Sequence, residues 1–245
     1  MRRITRLPLP AQTQLALDRR QTNADDKRAA GTLVVEQEWK SARQTKPLKT
    51  VSTTLSKMVG LRERCMYCCD SHATDIEHFW PKTLYPEKMF HWTNFLFCCT
   101  ECGRFKGDLF PLQGGVPTLV DPTIEDPWKF LDFDPATGVV VARFDVAVNT
   151  EFPKGAETVR VLQLDRREAL NAGYQKTWKR LVAVVDAALG QPPLDAGNLV
   201  NALRDVDDHG LLGWCFAGTG QEVAPFHALR GRHPAVWASC MQEFA

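Results

Sequence analysis

Two pairs of cysteines, Cys65-Met66-Tyr67-Cys68 and Cys99-Thr100-Glu101-Cys102, constrain this 245-residue chain more than any other feature. A C-x2-C turn places both sulfurs on one side of the backbone. Two such turns complete a tetrahedron of thiolates, the coordination zinc prefers when its role is structural. Cys69 and Cys98 leave the register open, because each could replace its neighbour in a C-x3-C spacing, and His72 is a further donor nearby. The reading takes Cys65, Cys68, Cys99 and Cys102 as the zinc ligands. Cys69 and Cys98 are then small buried hydrophobes, and Cys215 and Cys240 belong to the core. Four thiolates leave no position for water, so this Zn²⁺ braces the segment and does no chemistry.

The chemistry lies between the knuckles. Asp75-Ile76-Glu77-His78-Phe79-Trp80-Pro81-Lys82 follows the first pair, His91-Trp92-Thr93-Asn94 precedes the second, and Gly103-Arg104-Phe105-Lys106-Gly107 follows it. Hydrolysis of a phosphodiester needs a base that titrates near neutrality, which suits histidine, and a hard cation on a carboxylate to stabilise developing charge. Glu77 and His78 supply one of each. In a regular strand adjacent side chains leave opposite faces, so a bend or bulge is what would let both address one site. Arg104 is a candidate phosphate contact. Trp80, Phe90, Trp92, Phe95 and Phe97 read as apolar filling, and His91 as a packed histidine.

This order, C-x2-C, Glu-His-Phe-x-Pro, then Asn-x4-C-x2-C-x3-Lys-Gly, resembles the HNH endonuclease superfamily with its ββα-metal fold. Further features look like the HNH proteins of Septu-type and retron-linked anti-phage systems, where an HNH subunit works beside an ABC-like ATPase. They are the Met1-Arg2-Arg3-Ile4 start, Lys106-Gly107 with Phe110-Pro111, Asp121-Pro122 with Glu125-Asp126-Pro127, and a helix beginning near Leu162. The resemblance implies that His78 is the general base and Glu77 an acidic ligand of a catalytic Mg²⁺ or Mn²⁺. It makes Asn94 the residue that holds the histidine loop, and Lys106 a basic residue meeting phosphate. It implies nucleic acid as substrate, DNA before RNA, and the ATPase as partner.

One position departs from that pattern. The family carries His or Asn directly after the last cysteine as a metal ligand, and this chain has Gly103. Asp75, His91 or Asp108 would have to fill the place, or metal binding is weak, or the activity is impaired or dependent on the partner. Two alternatives therefore stand beside a DNA-cutting defence effector. One is a zinc-braced docking subunit of an ATPase complex, the other an RNA-cutting toxin.

The remainder of the chain reads as helical, an α+β protein in which helices flank a small ββα module. Residues 1–64 hold fourteen Lys/Arg against six Asp/Glu, a balance of +8, and the rest carries −7. The basic part suits phosphate, and the acidic C-terminal part suits a protein partner. Residues 1–24 read as an extended arm, followed by a helix over 29–43 and another carrying Val51, Leu55, Met58 and Val59 up to Gly60. The module covers 65–111, and a connecting segment with a β-hairpin over 130–141 covers 112–150. The region 151–245 is expected to hold a long helix capped by Asp165 and Glu168 and stopped by Gly190 and Pro192-Pro193, then a helix over 196–206 and a packed tail. His209, His227 and His233 receive no role. No apolar run is long enough to span a membrane and no signal peptide precedes the fold, so the cytoplasm is expected.

Overall fold

The computed structural model describes residues 1–190 and 193–244. They form a mostly helical α+β protein with four two-stranded sheets. No helix among them is long and apolar enough to cross a membrane. The chain divides into two compact units, one of residues 4–66 and 71–116, the other of residues 1–3, 67–70 and 117–245.

The first unit begins with three helices, α1 (Ala11–Ala29), α2 (Val35–Arg43) and α3 (Lys46–Val59). The arm expected over residues 1–24 is a helix from Ala11 onward. Its buried positions, Thr13, Leu17, Gln21 and Ala24, recur at helical steps of four, four and three. Three of those four side chains are small or polar, so the period is present but not written in apolar residues. The helix placed over 29–43 starts later, at Val35. α3 follows its expectation. Leu48, Val51, Leu55 and Val59 are buried, each worth roughly 1.5–3 kcal/mol of transfer free energy. Gly60 ends the helix at a φ of +83°, which a glycine adopts without strain.

Beyond α3 lies the hairpin of β1 (Asp75–His78) and β2 (Phe95–Cys98), antiparallel with Glu77 opposite Leu96 and His78 opposite Phe95. Helix α4 (Thr100–Lys106) follows and closes at Gly107. Every residue of β2 is buried. It is therefore the inner strand of the pair, and β1 carries the polar chemistry on an anchored partner.

The second unit is built on the expected hairpin, β3 (Leu131–Asp134) with β4 (Val139–Ala142). Asp134 ties its turn by accepting from the Ala136 amide and the Thr137 hydroxyl. Five helices and a shorter one complete it: α5 (Pro153–Leu162), α6 (Glu168–Leu189), α7 (Ala196–Val206), α8 (Leu212–Ala217), α9 (Phe226–Arg232) and α10 (Pro234–Phe244). Leu162 closes α5 and does not open a helix. The capping box at Asp165 does not form either, since α6 starts after Arg167 with no side-chain cap. Its apolar face of Leu170, Tyr174, Trp178, Leu181 and Val185 is buried as the periodicity predicts. Gly190 caps its end, and Pro192 lies outside the described residues. Trp214 packs edge-on against Phe133 and Trp178, and Phe216 against Trp237, so the tail is core.

His209, given no role from sequence, is a bonded strut of this unit. Its Nε2 lies 3.0 Å from Asp70 Oδ1 and its Nδ1 lies 2.8 Å from the Thr177 hydroxyl. Tyr174 beside it donates to the Cys68 carbonyl at 3.1 Å.

Candidate active site

Local turns bring the four cysteines together. The sulfurs of Cys65, Cys68, Cys99 and Cys102 all lie within 4.8 Å of one another and are buried. A zinc tetrahedron with bonds of about 2.3 Å has sulfur–sulfur edges of about 3.8 Å, so the donor set fits such an ion with small adjustment. Cys98 lies beside this group: its thiol donates to the Cys99 carbonyl at 3.2 Å and its sulfur is 3.9 Å from Cys65 Sγ. Cys69 is buried at a φ of +53°. His72 is exposed and pairs with Glu63 at 3.0 Å. Cys99 also begins α4, accepting from the Cys102 amide at 3.4 Å. The cluster thereby fixes the start of the helix that faces Glu77.

β1 pairs regularly from Asp75 to His78. No bulge interrupts it, so Glu77 and His78 leave opposite faces of the strand. Glu77 turns toward α4. Lys106 lays its ammonium 3.0 Å from Glu77 Oε1, 2.7 Å from the His78 carbonyl and 3.4 Å from the Gly107 carbonyl. Lys106, expected to meet phosphate, has a fully buried side chain on this carboxylate. A Cβ built on Gly103 would lie 3.5 Å from Glu77 Oε2, so the glycine faces the second carboxylate oxygen. Burial pushes the Glu77 carboxyl above its ordinary range, and the Lys106 ammonium opposes that shift without reversing it.

His78 turns the other way, beneath α2. Trp39 meets the imidazole edge-on with ring centres 4.4 Å apart, and Phe95 meets it at 5.3 Å. The residue is 4% exposed. Its Nε2 lies 2.9 Å from the Met89 carbonyl. A carbonyl only accepts, so Nε2 carries the proton of the neutral ring and Nδ1 keeps the lone pair. Burial lowers the histidine to about 3, with repulsion from Lys82 and Lys106 adding and the Met89 carbonyl opposing. The ring is therefore neutral at physiological pH.

Asn94 clamps the loop between the strands. Its Oδ1 accepts from the Trp80 amide at 2.7 Å, and its Nδ2 donates to the Trp80 and Lys88 carbonyls at 3.0 and 2.9 Å. The Lys88 bond fixes the residue before Met89, whose carbonyl orients His78. Three further residues went unnoticed in the sequence. Gln21 of α1 accepts from the Phe90 amide at 2.8 Å and donates to the Pro86 carbonyl at 3.0 Å. Arg6 donates to the Trp92 and Phe95 carbonyls at 2.8 and 3.0 Å. Trp39 covers the histidine. Only Trp39, a lone tryptophan in a polar helix, carried a signal that could have marked it.

The other candidates scatter. Arg104 is exposed on α4. Asp75 lies on the Glu77 side of β1 and accepts from the Thr74 and Thr100 hydroxyls. Asp108 accepts from Thr83 at 2.7 Å. His91, expected to be packed, is exposed. Phe90, Trp92, Phe95 and Phe97 are buried filling, and Trp80 packs on Tyr85 and Phe110.

No family model matches the chain. The chain is similar to the Septu protein PtuB of Bacillus thuringiensis, at 28% identity over 112 residues. That stretch is 44% of this chain and spans only 38% of the length of the relative.

Proposed function

We propose that the chain is an HNH-type endonuclease subunit of a bacterial anti-phage defence system, hydrolysing phosphodiester bonds of DNA. The observation that carries this reading is the neutral His78, whose Nε2–H is engaged by the Met89 carbonyl and whose Nδ1 is left as the basic atom. Nδ1 takes a proton from water as the oxygen attacks phosphorus and the bond to the leaving oxygen breaks. Asn94 holds the loop that aims the ring. Burial is the larger cause of the lowered histidine, and a phosphate anion drawn near would offset only the smaller repulsion from Lys82 and Lys106. Arg104 and the basic N-terminal helices supply phosphate affinity. Similarity to the Septu protein PtuB supports the defence context, and an ABC-like ATPase is the partner the reading names.

Zn²⁺ fits the four cysteines and braces the start of α4. The Mg²⁺ or Mn²⁺ that the resemblance implies does not fit the residues around Glu77 as a resident ion. They offer one carboxylate, already bound to an ammonium, with a glycine where a second donor would stand.

A second reading has its own support. The covered His78 and the neutralised Glu77 suit a zinc-braced docking subunit. Cleavage of supercoiled plasmid by zinc-loaded protein, with Mg²⁺ or Mn²⁺ and with any ABC-like ATPase found encoded beside it, separates the two. The His78→Ala variant, matched to the parent in zinc content and circular dichroism, should lose about 10²-fold or more of the rate. Equal cutting by both proteins removes His78 as base. Absence of cutting across DNA and RNA with the partner present removes the nuclease reading and favours the docking one.

A further inference from the structure

The Lys106 ammonium has three protons and three acceptors within reach, Glu77 Oε1, the His78 carbonyl and the Gly107 carbonyl. Its side chain is wholly buried, and among the described residues Glu77 is the carboxylate bound to it. A buried carboxylate requires a compensating positive charge. Here the chain provides it from one turn further along α4 than Gly103, so both residues address Glu77, one with a charge and one with no side chain. Among the described residues the four cysteines are the one group of three or more His, Cys, Asp or Glu placed to hold a metal. Magnesium and manganese hold to sites of few protein ligands only when waters and substrate phosphates fill the remaining positions.

We propose that Lys106 is the resident cation of Glu77, so that the free protein has no divalent-ion site there, and that position 103 is where the missing donor would stand. The charge assignment is independent of the nuclease reading; its consequence, that phosphate oxygens must accompany the ion, rests on it. Three features agree. Glu77 needs no metal to be neutralised. An incoming ion must displace an ammonium that also holds two carbonyls. A Cβ at position 103 fits beside Oε2 in ordinary contact, 3.5 Å from that oxygen and 4.0 Å from Cys98 Sγ.

Mn²⁺ binding to the zinc-loaded full chain, read by loss of the free-ion electron paramagnetic resonance signal, tests the proposal. The parent should bind Mn²⁺ no better than the Glu77→Gln variant. Gly103→Asn adds an oxygen donor facing Oε2 and should tighten binding by about tenfold or more, an increase abolished in the double variant with Glu77→Gln. Lys106→Met should also raise Mn²⁺ uptake, and Gly103→Asn keeps the question open to measurement if that variant fails to fold. A saturable Mn²⁺ site in the parent that disappears with Glu77→Gln overturns the proposal. Unchanged weak binding in Gly103→Asn overturns the assignment of position 103. None of these results depends on cleavage, so a failed nuclease assay and a failed charge assignment are distinguishable.

Discussion

The cysteine cluster and the Glu77 face lie at opposite ends of α4 and reach charge balance in opposite ways. Cys65, Cys68, Cys99 and Cys102 present a complete set of soft donors with no charge of their own to oppose them. Glu77 presents one hard donor whose compensation, Lys106, comes from the same helix. The first arrangement is finished only when an ion arrives. The second is finished without one. A metal ion would therefore complete one end of a seven-residue helix, while at the other end a side chain does the work of a cation.

The largest effect is expected where the dependence is complete. Cys99→Ser, or removal of zinc by a strong chelator, should unfold residues 65–111. Structural zinc contributes on the order of 10 kcal/mol, comparable to the whole stability of an ordinary domain. Zinc content by atomic emission together with hydrogen exchange across β1, β2 and α4 checks this. Cys98→Ser should keep the metal, because the four cysteines that come together do not include Cys98, whose thiol donates to the Cys99 carbonyl. Equal loss of zinc in the two variants would break the contrast by returning the register to C-x3-C.

What was legible follows the same division. The cluster is local chemistry, two short turns whose spacing fixes their geometry, and the two C-x2-C pairs were enough to name the four cysteines that come together. The β3–β4 hairpin, α7 and the buried face of α6 were legible for the same reason, since turn residues and apolar period sit inside each segment. The surroundings of Glu77 and His78 were not. Their identities stood out, but Lys106 looked like a surface cation because nothing in a Lys-Gly pair says that the side chain folds back under β1. Trp39, Gln21 and Arg6 act on the histidine loop from 39 to 69 or more residues upstream, as Gln21 on Phe90 and Arg6 on Trp92. Such pairings are decided by packing, to which period and propensity are blind. α1 was missed because its buried face is Thr13, Leu17, Gln21 and Ala24 rather than a run of leucines.

Asn94 sharpens the contrast at intermediate size, because it does with hydrogen bonds what zinc does with coordination. Asn94→Ala removes three bonds from a residue that is 3% exposed and leaves the Trp80 and Lys88 groups unsatisfied. The expected cost is about 2–3 kcal/mol in urea unfolding, with zinc retained. Asn94→Asp should be worse than Asn94→Ala. Its carboxylate keeps the Trp80 amide but meets two carbonyl oxygens where the amide donated. A variant pair in the reverse order would show that the Asn94 amide is turned over relative to the assignment used here.

The smallest effect concerns the face of β1 that carries His78, and it is set by pH. His78 is held at about 3 in the fold against an ordinary 6.5. Below 6.5 the unfolded chain takes up a proton that the folded ring refuses, so His78 contributes stability above that pH and loses it as pH falls toward 3. Between neutral pH and pH 5 the loss is about 2 kcal/mol. Glu77 shifts the other way and favours the fold on acidification, so the total slope mixes both groups. Subtracting a His78→Asn variant isolates the histidine, because Glu77 is present in both proteins. Urea unfolding at pH 7.5 and pH 5.0 should show the parent losing about 2 kcal/mol more than the variant. Equal losses would mean that the imidazole is solvated and takes its proton in the fold. His78 would then lie open to water rather than under Trp39, and this face of β1 would be an open one.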